Sequence, residues 1–109
     1  MNAELATRYS NLQLEHIVEE AVIYMCACPA QVAVQLLQLR KLFAYQQSCI
    51  TKVALMIDVH LRISESARKA HAELEQCLNE VLLMEGWDLQ TLSMPAGLRE
   101  LRQQVIDQD

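Results

Sequence analysis

Residues 29–86 read PAQVAVQLLQLRKLFAYQQSCITKVALMIDVHLRISESARKAHAELEQCLNEVLLMEG, bounded by Pro29 and Gly86 with no glycine or proline between them. Those two residue types punctuate a chain more strongly than any others, so a stretch of this length without them argues for helix. Strand signals are missing: the apolar residues do not alternate, and no Asn-Gly or Asp-Gly pair is present to turn a β-hairpin. Val32, Leu36, Leu39, Phe43, Ile50, Val53, Ile57 and Leu61 recur at spacings of three and four, the period of one helical face. The pattern predicts a long central helix over residues 30–63, about 50 Å at 1.5 Å per residue. The polar gap at Gln46 and Gln47 marks Gln47 to Ser48 as the place where it would bend.

The next helix is expected over residues 66–85. Ser64, Glu65 and Ser66 offer N-cap side chains, and Gly86 is a favourable residue just past the end. This places a hairpin turn near Ser64, the alternative being one continuous helix through that point. A turn there would set Cys49 level with Cys77 and His60 near His71.

Upstream, Leu14, Ile17, Val18, Ala21, Val22 and Met25 recur at helical spacing while Glu15, Glu19 and Glu20 face water, predicting a first helix over residues 12–25 that could begin as early as Ala3. Proline disfavours helix in the residue before it and fits the first turn of a new one, so Cys28-Pro29 is read as a sharp hinge. Downstream, residues 87–94 are expected to be irregular. Pro95 then opens a short helix over residues 95–106, with Leu98, Leu101 and Val105 on one face. Trp87 and that face are expected to pack back on the bundle, since together they would otherwise form an unusual apolar patch. The tail from Gln103 is expected to fray.

The chain has 109 residues, within the usual size of one domain. Hydrophobic residues make up 52% and charged residues 21%, too apolar for disorder and slightly richer than a soluble surface needs. A net charge of -5 and a pI near 5.1 remove the electrostatic basis for binding nucleic acid. No apolar run approaches the roughly 18 residues of a membrane span, and no apolar segment follows Met1 to Tyr9, so a cytoplasmic protein without a membrane partner is expected. That compartment keeps Cys26, Cys28, Cys49 and Cys77 reduced.

Metal chemistry finds weak footing. The short pair Cys26 and Cys28 supplies the only candidate ligands at close spacing, and the second such pair that a structural zinc site needs is missing. Cys49 and Cys77 are read as small core hydrophobes, His60 and His71 as surface histidines, and His16 with Glu20 as a solvated helix pair. Glu73, Glu75 and Glu80 are read as lying on polar faces. Glu-x-x-His, Gly-x-Ser-x-Gly and glycine-rich phosphate loops do not occur. Met25, Met56, Met84, Tyr24 and Tyr45 are read as core rather than as a ligand pocket. No cofactor is called for.

Val53, Ala54, Leu55, Met56 and Ile57 are apolar in every direction around a helix axis, and such a segment must be covered on all sides. A bundle of few helices cannot do this alone. The expectation is therefore an all-α, three- or four-helix antiparallel bundle with a long central helix, one domain, pairing as a homodimer through Val53, Met56 and Ile57. Its function would be self-association or protein interaction without catalysis. The alternative is a thiol-based redox or metal-responsive protein using Cys26 and Cys28, where Cys28, at the start of the second helix, would be the most reactive thiol.

Overall fold

Ser10 opens the first helix. Its hydroxyl accepts from the Gln13 backbone N–H at 3.1 Å, and the Gln13 side-chain oxygen accepts from the Ser10 N–H at 2.8 Å. This reciprocal box satisfies donors that a helix start otherwise leaves without partners. Tyr9 and Leu14 flank it at the two positions where an apolar pair fixes the entry of the chain, and both are buried. The computed structural model describes residues 4–23, 28–52 and 55–95, with the side chains of all of these but Val22 and Ile23. Within them the protein is all-helical: α1 (Asn11–Ile23), α2 (Cys28–Lys52) and α3 (Ile57–Glu85).

α1 buries Leu14, Ile17 and Ala21 completely and leaves Glu15, His16 and Glu19 in water, as the spacing predicts. α2 starts two residues earlier than expected and takes Cys28 and Pro29 into its first turn. There a missing proline N–H costs nothing, because first-turn donors have no helical partner.

The expected helix over residues 30–63 is two helices. The chain reverses between Lys52 and Ile57, so the hairpin does not turn at Ser64 and α3 is correspondingly longer. In the sequence, Ile50, Thr51 and Val53 set three β-branched residues within four positions, which lowers helix propensity where no glycine or proline marks the place. Met56 then takes the left-handed conformation, φ 63° and ψ 32°, and its carbonyl accepts from Val59 and His60 N–H at 3.0 and 3.3 Å to start α3. Ser64 caps nothing: it is buried inside α3 and its hydroxyl accepts from Gln47 Nε2 of α2 at 3.2 Å.

α2 and α3 therefore run antiparallel, with Gln47 opposite Ser64 and Arg40 opposite His71. That register overturns two expected pairs. Level with Cys49 lies the start of α3, leaving Cys77 about 20 Å away along the axis, while His60 and His71 sit on one helix about three turns apart. Met56, Met84 and Tyr45, expected in the core, are exposed.

α3 ends as expected at Gly86, φ 79°, where Gly86 N–H donates to the Leu83 carbonyl and Trp87 N–H to that of Leu82, the paired closure that glycine makes easy. The following segment is irregular through Pro95. Asp88 Oδ1 accepts from Gln90 and Thr91 N–H, which curls the chain so that Leu92 and Met94 enter the core beside Trp87. The expected helix over residues 95–106, with Leu98, Leu101 and Val105, lies outside the described residues.

These pieces make a core of Leu14, Ile17 and Ala21 from α1, Ala33 and Leu36 from α2, and Leu78 and Leu82 from α3. α1 begins level with Arg40, so it covers only the half of the hairpin distant from the turn. The other half, residues 41–70, projects as a two-helix arm. The molecule measures 59 × 27 × 18 Å with a radius of gyration of 17.4 Å, against about 13 Å for a compact chain of this size.

Met56 supplies a test of the turn. A left-handed non-glycine residue costs about 1 kcal/mol, so Met56→Gly should raise the thermal midpoint by a few degrees, and an unchanged or lower midpoint would argue against the turn at this residue.

Candidate functional site

α3 turns a single stripe inward: Ser64, Ala67, His71, Glu75, Leu78 and Leu82. This stripe carries His71 and Glu75 inside. Glu73 and Glu80 do lie in water as expected. Glu75 does not, and His71 is 1% exposed rather than a surface histidine.

What receives them is Arg40 of α2. Arg40 Nε donates to His71 Nε2 at 3.0 Å, Nη1 to Asn11 Oδ1 at 2.6 Å, and Nη2 to the Tyr9 carbonyl at 2.6 Å and to Glu75 Oε2 at 3.2 Å. Glu75 in turn accepts from the backbone N–H of Arg8, at 2.8 and 3.0 Å to its two oxygens, and from that of Tyr9 at 3.2 Å. The Tyr9 hydroxyl donates to Asn79 Oδ1 at 3.0 Å, and burial holds its phenol above the ordinary tyrosine value. One ion pair thus gathers the N-terminal segment, the start of α1, and both helices of the hairpin at one level.

Hydrogen bonding fixes the state of His71. Its Nε2 accepts from a guanidinium that is always charged, so the ring is neutral with its proton on Nδ1, 3.9 Å from Glu75 Oε1. Burial holds its pKa below the usual histidine value; the neighbouring Glu75 charge pulls it up and Arg40 pushes it down.

The cluster latches the N-terminal segment to the hairpin. All three guanidinium nitrogens and both carboxylate oxygens are engaged with groups of the chain itself. Among the described residues, no group of three or more His, Cys, Asp or Glu could hold a metal ion. Of the candidate ligands read from the sequence, Cys28 is exposed at the start of α2, and Cys26 lies outside the described residues. Cys49 and Cys77 are half-buried and belong to different levels of the hairpin.

A second set of polar contacts lines the arm. Gln46, buried on α2, has its Oε1 2.8 Å from His60 Nδ1, and Gln47 meets Ser64. Among the described residues of the arm, Phe43 and Ala67 are the buried apolar side chains, and Ile50 and Ile63 are half-buried. Many of the arm's other apolar side chains are exposed: Leu42, Tyr45, Val59 and Leu61, with Leu55 at 75%, Met56 at 62% and Ile57 at the turn. Of the expected interface residues, Met56 and Ile57 are therefore on the surface; Val53 lies outside the described residues.

No protein-family model matches the chain, nor does any curated protein or solved structure. Among the described residues no helix is long and apolar enough to cross a membrane.

Two tests address the latch. Glu75→Ala strands the Arg40 charge and two backbone N–H groups, so denaturant unfolding should show a loss of about 3 kcal/mol; a loss below about 1 kcal/mol would mean the carboxylate is dispensable. Because the folded pKa of His71 is depressed, its contribution is complete above about pH 6.5 and declines as pH falls from there toward the lower folded value. Thermal melts from pH 7.5 to 5 should show this decline, and His71→Gln, which keeps an acceptor for Arg40, should flatten it. Equal slopes for both proteins would contradict the neutral ring.

For the thiols, exposure sets the order. Timed alkylation followed by mass spectrometry should label Cys28 ahead of Cys49 and Cys77, and earlier labelling of either would contradict the α2 start.

Proposed function

We propose that the protein works by association, pairing with a second copy of itself and offering the same arm to a protein partner, with no catalytic step. One observation carries this reading: polar side chains pair across the arm's internal seam while several large apolar side chains stand exposed among the charged residues of its outer surface. Gln46, Gln47, His60 and Ser64 face one another between the helices while Tyr45, Leu55, Met56 and Leu61 face outward. Two helices joined in this way gain little from burying their own side chains, and so many large apolar side chains exposed on one projecting part of a molecule favour an interaction surface. Ile57 and Met56 stand at its end, where the sequence places the interface with Val53.

Closed two-fold pairing is the commonest arrangement for such a surface. A cytoplasmic setting fits the thiols, and the net negative charge argues against nucleic acid as the partner. The second reading, a redox or metal-responsive role for Cys26 and Cys28, has in its favour the exposure of Cys28 at the interhelical hinge.

Size-exclusion chromatography with light scattering is the direct test. The expected mass at micromolar concentration is twice 12.4 kDa. Since Met56 is exposed within one chain, Met56→Glu should leave far-UV helicity intact while weakening the dimer about tenfold or more. A wild-type monomer, or a variant that dimerises as tightly as wild type, would defeat the reading.

A further inference from the structure

The charges divide at the level of the latch. Residues 41–70 carry Lys41, Lys52, Arg62, Arg68 and Lys69 against Asp58 and Glu65, a net charge of +3, and every one of these side chains is exposed. Residues 4–40 and 71–95, the base of the molecule, carry nine acidic side chains against Arg8 and Arg40, a net charge of -7. α2 contains no acidic residue, and α1 contains no lysine or arginine. Glu65 is engaged within the arm by Arg68 at 2.6 Å and Lys69 at 3.8 Å, so its charge is offset locally and Lys41, Lys52 and Arg62 remain as exposed cations. On the base, Glu15, Glu19, Glu73 and Glu80 are exposed.

We propose that two copies pair antiparallel, each laying its basic arm along the acidic base of the other. The proposal rests on the association reading and specifies its geometry. Contact of arm with arm would bring two surfaces of +3 together, and contact of base with base two surfaces of -7, whereas arm on base opposes unlike charges twice in one closed two-fold assembly. Lengths agree as well: the arm's stretch of α2 spans about 18 Å and α1, which covers the base, about 20 Å. Both surfaces also expose apolar side chains for the contact, Leu42, Tyr45 and Leu61 on the arm and Leu12, Leu83 and Met84 on the base. At physiological salt, charge acts over about 8 Å, so the complementarity operates within the contact and sets its orientation.

Paired charge reversals test this orientation in the full chain, read by sedimentation velocity at low salt with far-UV circular dichroism as the folding control. The arm variant carries Lys41→Glu, Lys52→Glu and Lys69→Glu; the base variant carries Glu15→Lys, Glu19→Lys and Glu73→Lys. Each alone should dimerise at least about tenfold more weakly than wild type, and an equal mixture of the two should recover the dimer. The arm variant mixed with wild type keeps one of the two arm-on-base contacts, so that mixed pair should be weaker than the wild-type dimer and stronger than the variant with itself. If instead the arm variant pairs with wild type more tightly than wild type pairs with itself, the contact is arm to arm and the proposal fails. Dimers of equal strength throughout would show that charge does not orient the pair, also overturning it while leaving the association reading intact. Wild type that stays monomeric defeats the association reading itself, and the proposal with it. Cosedimentation of that monomer with vesicles containing anionic lipid would assign the basic, apolar-tipped arm to a lipid surface instead. Should a variant lose helicity, the salt series of wild type decides: the dimer must weaken steadily as salt rises, and a flat response overturns the proposal.

Discussion

A single carboxylate, that of Glu75, decides where each part of this molecule sits. It accepts from Arg40 across the hairpin and from two successive backbone N–H groups of the N-terminal segment. A buried ion pair is in general a poor source of net stability, because removing two charges from water offsets much of their attraction. Its value here is positional. An Arg–Glu contact with hydrogen-bonded neighbours tolerates little sliding, so it fixes α2 against α3 and pins Tyr9 directly ahead of the Ser10 cap. The start of α1 follows, as does the extent of hairpin that α1 can cover. The arm is what remains beyond that level.

The inversion within the arm has the same origin. Near the base, three helices and the segment after Gly86 enclose Leu14, Ile17, Leu36, Leu78, Leu82 and Trp87, and apolar burial does the stabilising. Past Arg40, among the described residues, two helices continue. Glutamine, histidine and serine in the seam fix the pairing of those helices through specific hydrogen bonds, and apolar residues such as Tyr45, Leu55 and Leu61 are left on the outer surface. The polar pair Gln46 and Gln47, which in the sequence looks like a flaw in a helical stripe, is the part of that stripe that chooses its partner.

Much of the fold was legible because it depends on local chemistry. The absence of glycine and proline between Pro29 and Gly86 gave helix, Pro29 and Gly86 gave a start and a stop, and the spacing of Leu14, Ile17 and Ala21 gave the buried face of α1. The reversal near Met56 was not legible, because β-branched residues weaken a helix without breaking it and the left-handed turn residue is a methionine. That error carried others with it, since displacing the turn from Ser64 changes every opposite pair: Cys49 lost Cys77, and His60 lost His71. The latch was hidden for a different reason. Glu75 has the residue type of a surface position, and only the i, i+4 pairing with His71 on a stripe continued by Leu78 and Leu82, together with the Ser10-x-x-Gln13 cap that fixes Tyr9, hints that it lies inside.

If the Glu75 carboxylate holds the N-terminal segment in place, the amides it accepts from must be shielded from solvent although they precede the first helix and belong to no regular structure. Amide hydrogen exchange of the native protein, resolved by residue, measures this directly. Arg8 and Tyr9 should exchange as slowly as Ile17 in the interior of α1. Exchange at the rate of an unstructured chain at those two positions, with Ile17 protected, would contradict the latch and the placement of α1 that depends on it.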